Sequence, residues 1–293
     1  MRLCRAVKWL RVAAVALAIM LLSPGASSAA GRITFFDVGY GDAILIHDDS
    51  GFDALIDSGY AWYADGILAQ LAEVPDLDVV MWTHPHEDHI GGLERIVQAK
   101  LVGVVLSNGF YEDSSTYRSL IKEIDRAGVP RVAVKAGDCM QWGGFEVSVL
   151  HPDREYSRVN DESVVLCLKY GDKGFLLMGD AERQAEATLI EFGADLRAEL
   201  LKVGRHGHSA STCSAFLDVV QPQVAVISCP AGGSCPADSA LRRLDRYGID
   251  VRRTDMEGQI TVVTDGTSLH LEPLRHACHL PVVDAESLCA QMP

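Results

Sequence analysis

Three histidines and an aspartate fall within six residues of this chain, in the segment Thr83-His84-Pro85-His86-Glu87-Asp88-His89-Ile90-Gly91-Gly92. Residues 77–83, directly before the cluster, have the β-branched content and length of a buried strand, and residues 90–98 after it read as a helix. Few purely structural needs explain that density of ligand-type side chains at a strand-to-helix junction. Imidazole and carboxylate are the donors that borderline cations such as Zn²⁺ select. A tight loop can aim His84 and His86 at one ion while Asp88 and His89 face a neighbouring one.

Two later segments supply distal donors. Phe175-Leu176-Leu177-Met178-Gly179-Asp180 ends an apolar strand in Gly-Asp, placing a carboxylate where it can bridge two cations. The same aspartate also precedes Ala181-Glu182-Arg183 and could cap a helix. Leu200-Leu201-Lys202-Val203-Gly204-Arg205-His206-Gly207-His208 ends a second strand in histidine. Lys202 and Arg205 flank that histidine and are candidates to hold a phosphate in an otherwise acidic protein.

Around these segments the chain reads as many short strands. Residues 33–37, 43–47 and 52–57 open the series, and 102–106, 132–134, 145–150, 164–170, 175–178, 200–203 and 224–228 continue it. Helical stretches fall at 63–72, 115–127, 182–192 and 237–247. Strands outnumber helices and the two interleave in blocks, which favours a layered α/β sandwich over a regular βαβ alternation. No internal repeat and no Pro/Ser-rich linker interrupts residues 31–275, so they read as one domain, with 276–293 as a short tail. The sequence specifies no oligomeric state.

The pattern His84-x-His86-x-Asp88-His89 followed by Gly91-Gly92, with Asp57-Ser58-Gly59 upstream and Gly179-Asp180 downstream, resembles the metallo-β-lactamase superfamily of metal-dependent hydrolases. Within it, Phe36-Asp37-Val38-Gly39-Tyr40-Gly41-Asp42-Ala43, Leu150-His151-Pro152, Asn160-Asp161-Glu162-Ser163 and Leu201-Lys202-Val203-Gly204-Arg205-His206-Gly207 are similar to the soluble domain of ComEC-type competence proteins. The resemblance covers roughly residues 32–270. It implies a four-layer αββα sandwich and one or two divalent ions, Zn or Mn, held by His84, His86, Asp88, His89, Asp180 and His206. Asp88 would also orient the attacking water, and His208 is the runner-up to His206. Where the superfamily supplies a further histidine, this chain offers Asn160 and Asp161, with His151 as a substitute. The first ion is therefore expected to be the weaker. Tyr40 stands where the competence-type motif has glutamine. The activity implied is a phosphodiesterase or nuclease acting on nucleic acid. The competing readings are another exported hydrolase, such as a β-lactamase or lactonase, and a non-catalytic metal-binding relative.

The beginning of the chain adds an expected compartment. Arg2, Arg5, Lys8 and Arg11 precede or open an apolar run over 12–22, and small residues fill 23–30, the order of a secretory signal peptide. The run is shorter than the roughly 20 residues that span a bilayer, so no stable membrane anchor is expected. Removing residues 1–30 takes four of 26 basic side chains and no acidic one, leaving 22 against 40 and a charge of −18. Such a body does not attract polyanions at long range, so any action on nucleic acid has to rest on local contacts. Export permits disulfides, with Cys229–Cys235 and Cys278–Cys289 the nearest pairs, whereas Cys167 reads as a core thiol. The expected outcome is a secreted or periplasmic protein whose mature chain begins near Gly31. Intact-mass analysis of exported material tests it, and recovery of residues 1–30 in a membrane fraction would count against it.

Overall fold

The computed structural model describes residues 30–193 and 195–272, so the signal-peptide reading, the tail and the Cys278–Cys289 pair lie outside the described residues. Strands β1 (Gly31–Phe35), β2 (Ile44–Asp48) and β3 (Phe52–Ile56) form an antiparallel meander. On one side β4 (Asp76–Met81), β5 (Leu101–Ser107) and β6 (Arg131–Ala133) add in parallel. On the other, β14 (Ile260–Thr264) and β15 (Leu269–Leu271) add antiparallel, completing an eight-stranded sheet. The second sheet has seven strands. In it β7 (Cys139–Trp142), β8 (Phe145–His151), β9 (Val165–Tyr170) and β10 (Lys173–Leu177) are antiparallel. They are followed in parallel by β11 (Leu200–Lys202), β12 (Val224–Ile227) and β13 (Asp250–Arg253).

Strand alternation sorts the core into layers, because successive side chains point to opposite faces. Ile33, Phe35, Ile44, Ile46 and Met81 from the first sheet meet Phe145, Val147, Leu166, Leu168 and Phe175 from the second. The opposite faces are covered by helices. Leu55, Val80 and Val105 pack under Ala64–Gln70, Leu93–Ala99 and Ser115–Ala127. Cys167, Leu176, Leu201 and Ala225 pack under Arg183–Glu191, Ser214–Val220 and Asp238–Arg246. The result is the expected four-layer αββα sandwich, and Cys167 is the buried core thiol anticipated for it. Among the described residues no helix is long and apolar enough to cross a membrane.

Helix Ser115–Ala127 forms where the sequence reading put it, for local reasons. The Ser114 hydroxyl accepts from the Tyr117 amide, Tyr117, Leu120 and Ile124 repeat on one face, and Gly128 ends the helix in the left-handed region at φ 69°. The helix expected over 90–98 instead appears as two pieces, Glu87–Ile90 and Leu93–Ala99. Between them the Gly92 amide turns to the Ser58 hydroxyl (3.0 Å) and the Gly59 carbonyl (3.2 Å). Gly91 packs where a Cβ would come within 2.6 Å of the Ala61 nitrogen. Strands β7 and β13–β15 were not anticipated. They lie at or near sheet edges, where short or half-exposed segments carry a weak apolar signal.

Parallel pairing lines up the strand ends that carry the candidate ligands. Ile56 pairs with Met81 in the first sheet and Leu177 with Lys202 in the second, so residues 57, 83–89, 180 and 204–206 all emerge at one edge. The Val164 amide donates to the Thr83 carbonyl (2.9 Å), joining the two sheets there.

Phe145 fixes the opposite reach of the inner core, its ring edge-on to Tyr170 (4.7 Å) and near Phe175 (6.2 Å). Phe145→Ala is expected to cost about 3–5 kcal/mol, read as a lower urea midpoint with an unchanged denaturant slope. A change below about 1 kcal/mol would show that the inner core does not depend on this ring.

Candidate metal centre

Donor atoms of Asp88, His89, Asp180 and His206 lie within 4.8 Å of one another, and all four residues are buried. His89 Nε2 is 3.4 Å from Asp180 Oδ1, and His206 Nε2 is 3.2 Å from the same oxygen and 3.6 Å from Asp88 Oδ2. The back of each imidazole is fixed. His89 Nδ1–H donates to Asp57 (2.8 Å) and His206 Nδ1–H to the Ser228 carbonyl (3.1 Å), which leaves both Nε2 atoms facing inward. His206 is aimed by the backbone, since Arg205 and His206 both adopt left-handed conformations (φ 47° and 53°). His89 Nε2, His206 Nε2 and Asp180 Oδ1 are buried and make no hydrogen bond to another group. Buried polar atoms without partners are costly, so this donor set fits a divalent cation: two imidazoles and two carboxylates, each braced from behind.

The charges agree. Burial opposes the charge on Asp88, but His89 and His206 outweigh it and hold the carboxyl at about 2. Asp180 is likewise driven well below the ordinary carboxylate range, burial being overcome by His206 and His89. Burial also opposes a proton on His89, yet Asp57, Asp180 and Asp88 together raise it well above 6.5. His84 is driven the other way by burial and by the charge on His89, so it stays neutral.

His84 and His86 lie beside this group, with His84 Nε2 2.9 Å from His86 Nδ1. Among the described residues no further histidine, cysteine or acidic side chain completes a group of three with them. Asn160 sits in the turn Val159–Glu162; its amide nitrogen is 3.4 Å from Glu182, and its Oδ1 is buried without a partner. His151 stands one residue behind the site. Its Nδ1 donates to the Ser163 carbonyl (3.0 Å), and the Ser163 hydroxyl accepts from the Asp180 amide (3.0 Å). His208 turns away, its Nδ1 accepting from the Ala210 amide. Asp180 caps no helix; its amide is bound by Ser163 and its carboxylate faces the two imidazoles.

Two expectations are corrected. Lys202 does not face a substrate: it is fully buried, with Nζ 2.8 Å from Asp42 and 3.0 Å from the Val203 carbonyl, because it belongs to the inward-facing end of β11. Cys229 and Cys235 form no disulfide. Cys229 Sγ donates to Asp255 (3.1 Å), with burial foremost in pushing the thiol up to about 12. Arg205 is partly exposed and paired with Glu182, which also holds Arg158 at 2.9 Å.

The bracing residues were the part the sequence reading missed. Asp57 accepts from the Thr83 amide and hydroxyl as well as His89, all at 2.8 Å. The Asp42 and Asp57 carboxylates lie with His89 in a second buried cluster. The Tyr40 ring lies tilted by 49° against the His206 ring, with centroids 4.4 Å apart. Burial and then the charge of Asp180 raise its phenol, so it remains a hydrogen-bond donor. Gly41 makes this opening loop possible: at φ 131° it passes where a Cβ would lie 2.2 Å from the Asp88 carbonyl oxygen. The signal was present in Gly-Tyr-Gly-Asp, but its meaning depends on what lies across the gap.

A family model described as the metallo-beta-lactamase superfamily matches residues 36–231, and the chain belongs to that superfamily. Its curated relatives are ComEC-like competence proteins. It is 29% identical over 258 residues to ComE operon protein 3 of Bacillus subtilis, covering 80% of this chain and 33% of that protein. It is 28% identical over 239 residues to the competence protein ComA of Neisseria gonorrhoeae, covering 78% and 31%. The chain thus spans about a third of the length of the curated relatives it matches. Among solved structures, the metallo-beta-lactamase fold protein YhfI of Bacillus subtilis superposes with a TM-score of 0.55 at 15% identity, over 80% of this chain and all of that one. That likeness is one of fold.

Metal uptake is expected to strengthen as pH rises from about 6 to 8, with about one proton released per ion at neutral pH, because a cation must displace the proton that the carboxylates hold on His89. The sign follows from the raised value. Without an ion, the His89 imidazolium stabilises the fold fully below pH 6.5 and loses that effect as pH rises through the higher folded value. Calorimetric titration in buffers of different ionisation enthalpy measures the proton count. Mild chelation is expected to strip the ion at His84 and His86 first, and simultaneous loss of all metal would contradict unequal sites.

Proposed function

We propose that this chain is an exported metal-dependent phosphodiesterase that acts on nucleic acid. The observation that carries the reading is the quartet Asp88, His89, Asp180 and His206, with three buried donor atoms unpaired and facing one another. The competence-type relatives supply the direction towards nucleic acid.

A divalent ion bound by these residues supplies positive charge for the developing oxyanion and brings the ionisation of water towards neutral pH. The chain's own groups do the rest. Asp57 and the Ser228 carbonyl hold the imidazoles in one tautomer and one orientation. Asp88, held at about 2, is an anion at every working pH; it can orient a water by accepting its hydrogen bond but stores no proton. Tyr40, kept protonated beside His206, can donate to a substrate or leaving-group oxygen. Arg205, at the partly exposed end of the site, is the remaining candidate to meet a phosphate, and doing so requires it to share or leave Glu182. No serine or cysteine nucleophile is needed.

The test is a screen of the protein loaded with Zn²⁺ or Mn²⁺ on single-stranded DNA, bis-p-nitrophenyl phosphate, a lactone and nitrocefin. Phosphodiester hydrolysis is expected, and Asp88→Asn is expected to lower it about 10²-fold or more while the fold is retained. Turnover of nitrocefin or the lactone with no phosphodiester cleavage under either metal would replace this reading.

A further inference from the structure

One aromatic cluster beside the metal loop has no part in binding the cation. Tyr60 and Trp62 stack face to face, with centroids 4.4 Å apart and an interplanar angle of 11°. Trp62 is 48% exposed, unusual for so large a ring, although its partner and its neighbour Tyr63 are half-buried. The pair is rigidly mounted. Gly91 of the metal loop packs so closely that a Cβ there would lie 2.8 Å from the Tyr60 Cα. The Trp62 ring also lies against the Tyr63 ring, centroids 6.2 Å apart and tilted by 48°, and the Tyr63 hydroxyl lies 2.6 Å from where a Cβ on Gly39 would stand. Residues 60–63 are thus pinned between the loop that carries His84–His89 and the loop that carries Tyr40. Gly91 stands two residues beyond His89, so its close approach to the Tyr60 Cα sets that tyrosine beside the candidate metal loop.

The charge balance says what such a platform would hold. The chain carries 40 acidic side chains against 26 basic ones. Beside the site Lys202 is engaged by Asp42 and Arg205 by Glu182. With both of these cations already paired, contacts to the uncharged faces of a bound strand gain weight relative to contacts with its phosphates. Exposed aromatic rings on a rigid mount supply such contacts to any base, because every base has a π-face.

We propose that Trp62, backed by Tyr60, is a base-stacking subsite that positions a nucleotide next to the metal centre, so that the substrate class is single-stranded nucleic acid with unpaired bases. This rests on the phosphodiesterase reading and adds the specificity determinant to it. Duplex DNA, whose bases are already stacked, is the poor substrate.

The experiment separates binding from cleavage. Fluorescence anisotropy in excess chelator compares a labelled oligothymidylate, an abasic strand of equal length and a duplex, for the parent, Trp62→Ala and Trp62→Phe. The parent should bind oligothymidylate about tenfold tighter than the abasic strand or the duplex, with a shallow salt dependence, since few phosphates are neutralised. Trp62→Ala should abolish that preference with thermal stability and metal content unchanged, and Trp62→Phe should keep most of it. Equal binding of base-bearing and abasic strands by the parent overturns the platform, as does a Trp62→Ala loss that is the same on both. Preferential capture of anionic lipid vesicles, with no base-dependent binding, assigns the rings to a membrane surface and also overturns it. Hydrolysis is scored separately with Mn²⁺ or Zn²⁺ present. Base-dependent binding without cleavage of any strand upholds the platform and rejects the phosphodiesterase, whereas cleavage without base preference does the reverse.

Discussion

The buried carboxylate of Asp57 is the contact on which the rest of the site depends. It sits at the end of β3 in a left-handed conformation (φ 58°), which is strained for a residue with a side chain. From there it accepts from the Thr83 amide, the Thr83 hydroxyl and His89 Nδ1. These bonds tie the ends of two parallel strands to the start of the histidine loop and decide which nitrogen of His89 faces the candidate metal site. Burial raises the Asp57 carboxyl even though His89 draws it down, and the Nδ1 proton that His89 donates to it lies on the side of the ring away from the candidate metal site.

The same logic of bracing from behind recurs around the centre. Ser228 orients His206 through its carbonyl, and Ser163 holds the Asp180 amide while its own carbonyl is held by His151. Asp42 is neutralised by Lys202, both wholly buried, with Nζ 2.8 Å from the carboxylate. Breaking such a pair by removing one partner leaves an uncompensated charge in the interior, which typically costs about 3–5 kcal/mol. Lys202 therefore serves the acidic interior, and this is why a lysine four positions before the candidate ligand His206 is not placed to meet a phosphate. A centre built from Asp42, Asp57, Asp88 and Asp180 concentrates negative charge that histidine and lysine offset only in part, and a cation is the natural complement.

Family membership leaves the substrate open, because one fold carries many chemistries and function lies in the grafted site. The YhfI likeness at 15% identity speaks to the scaffold alone. What distinguishes this chain lies at the rim: Tyr40 over His206, Arg205 held by Glu182, and the Tyr60–Trp62 stack mounted on the glycines of the two loops. These elements sit on loops at the ends of rigid strands, where binding residues can vary without disturbing the core.

Much of this was legible in the sequence, because it is written locally. Short apolar runs interleaved in blocks with helical stretches pointed to a layered sandwich, residues 115–127 read as a helix, and His84-x-His86-x-Asp88-His89 with Gly179-Asp180 marked the candidate metal donors, since donor chemistry is a property of residue type and short spacing. What the tertiary structure decided depends on partners far apart in the chain. Lys202 looked like a free cation until β11 turned it onto Asp42, 160 positions away. Cys229 and Cys235 looked like a local pair, yet Asp255 took the Cys229 thiol. Asp57 looked like a motif marker and became the acceptor for His89, 32 positions on. Composition and spacing determine which side chains can ligate, pair or stack. Only packing determines which of them meet, because a buried polar group must take whatever partner the fold brings within reach.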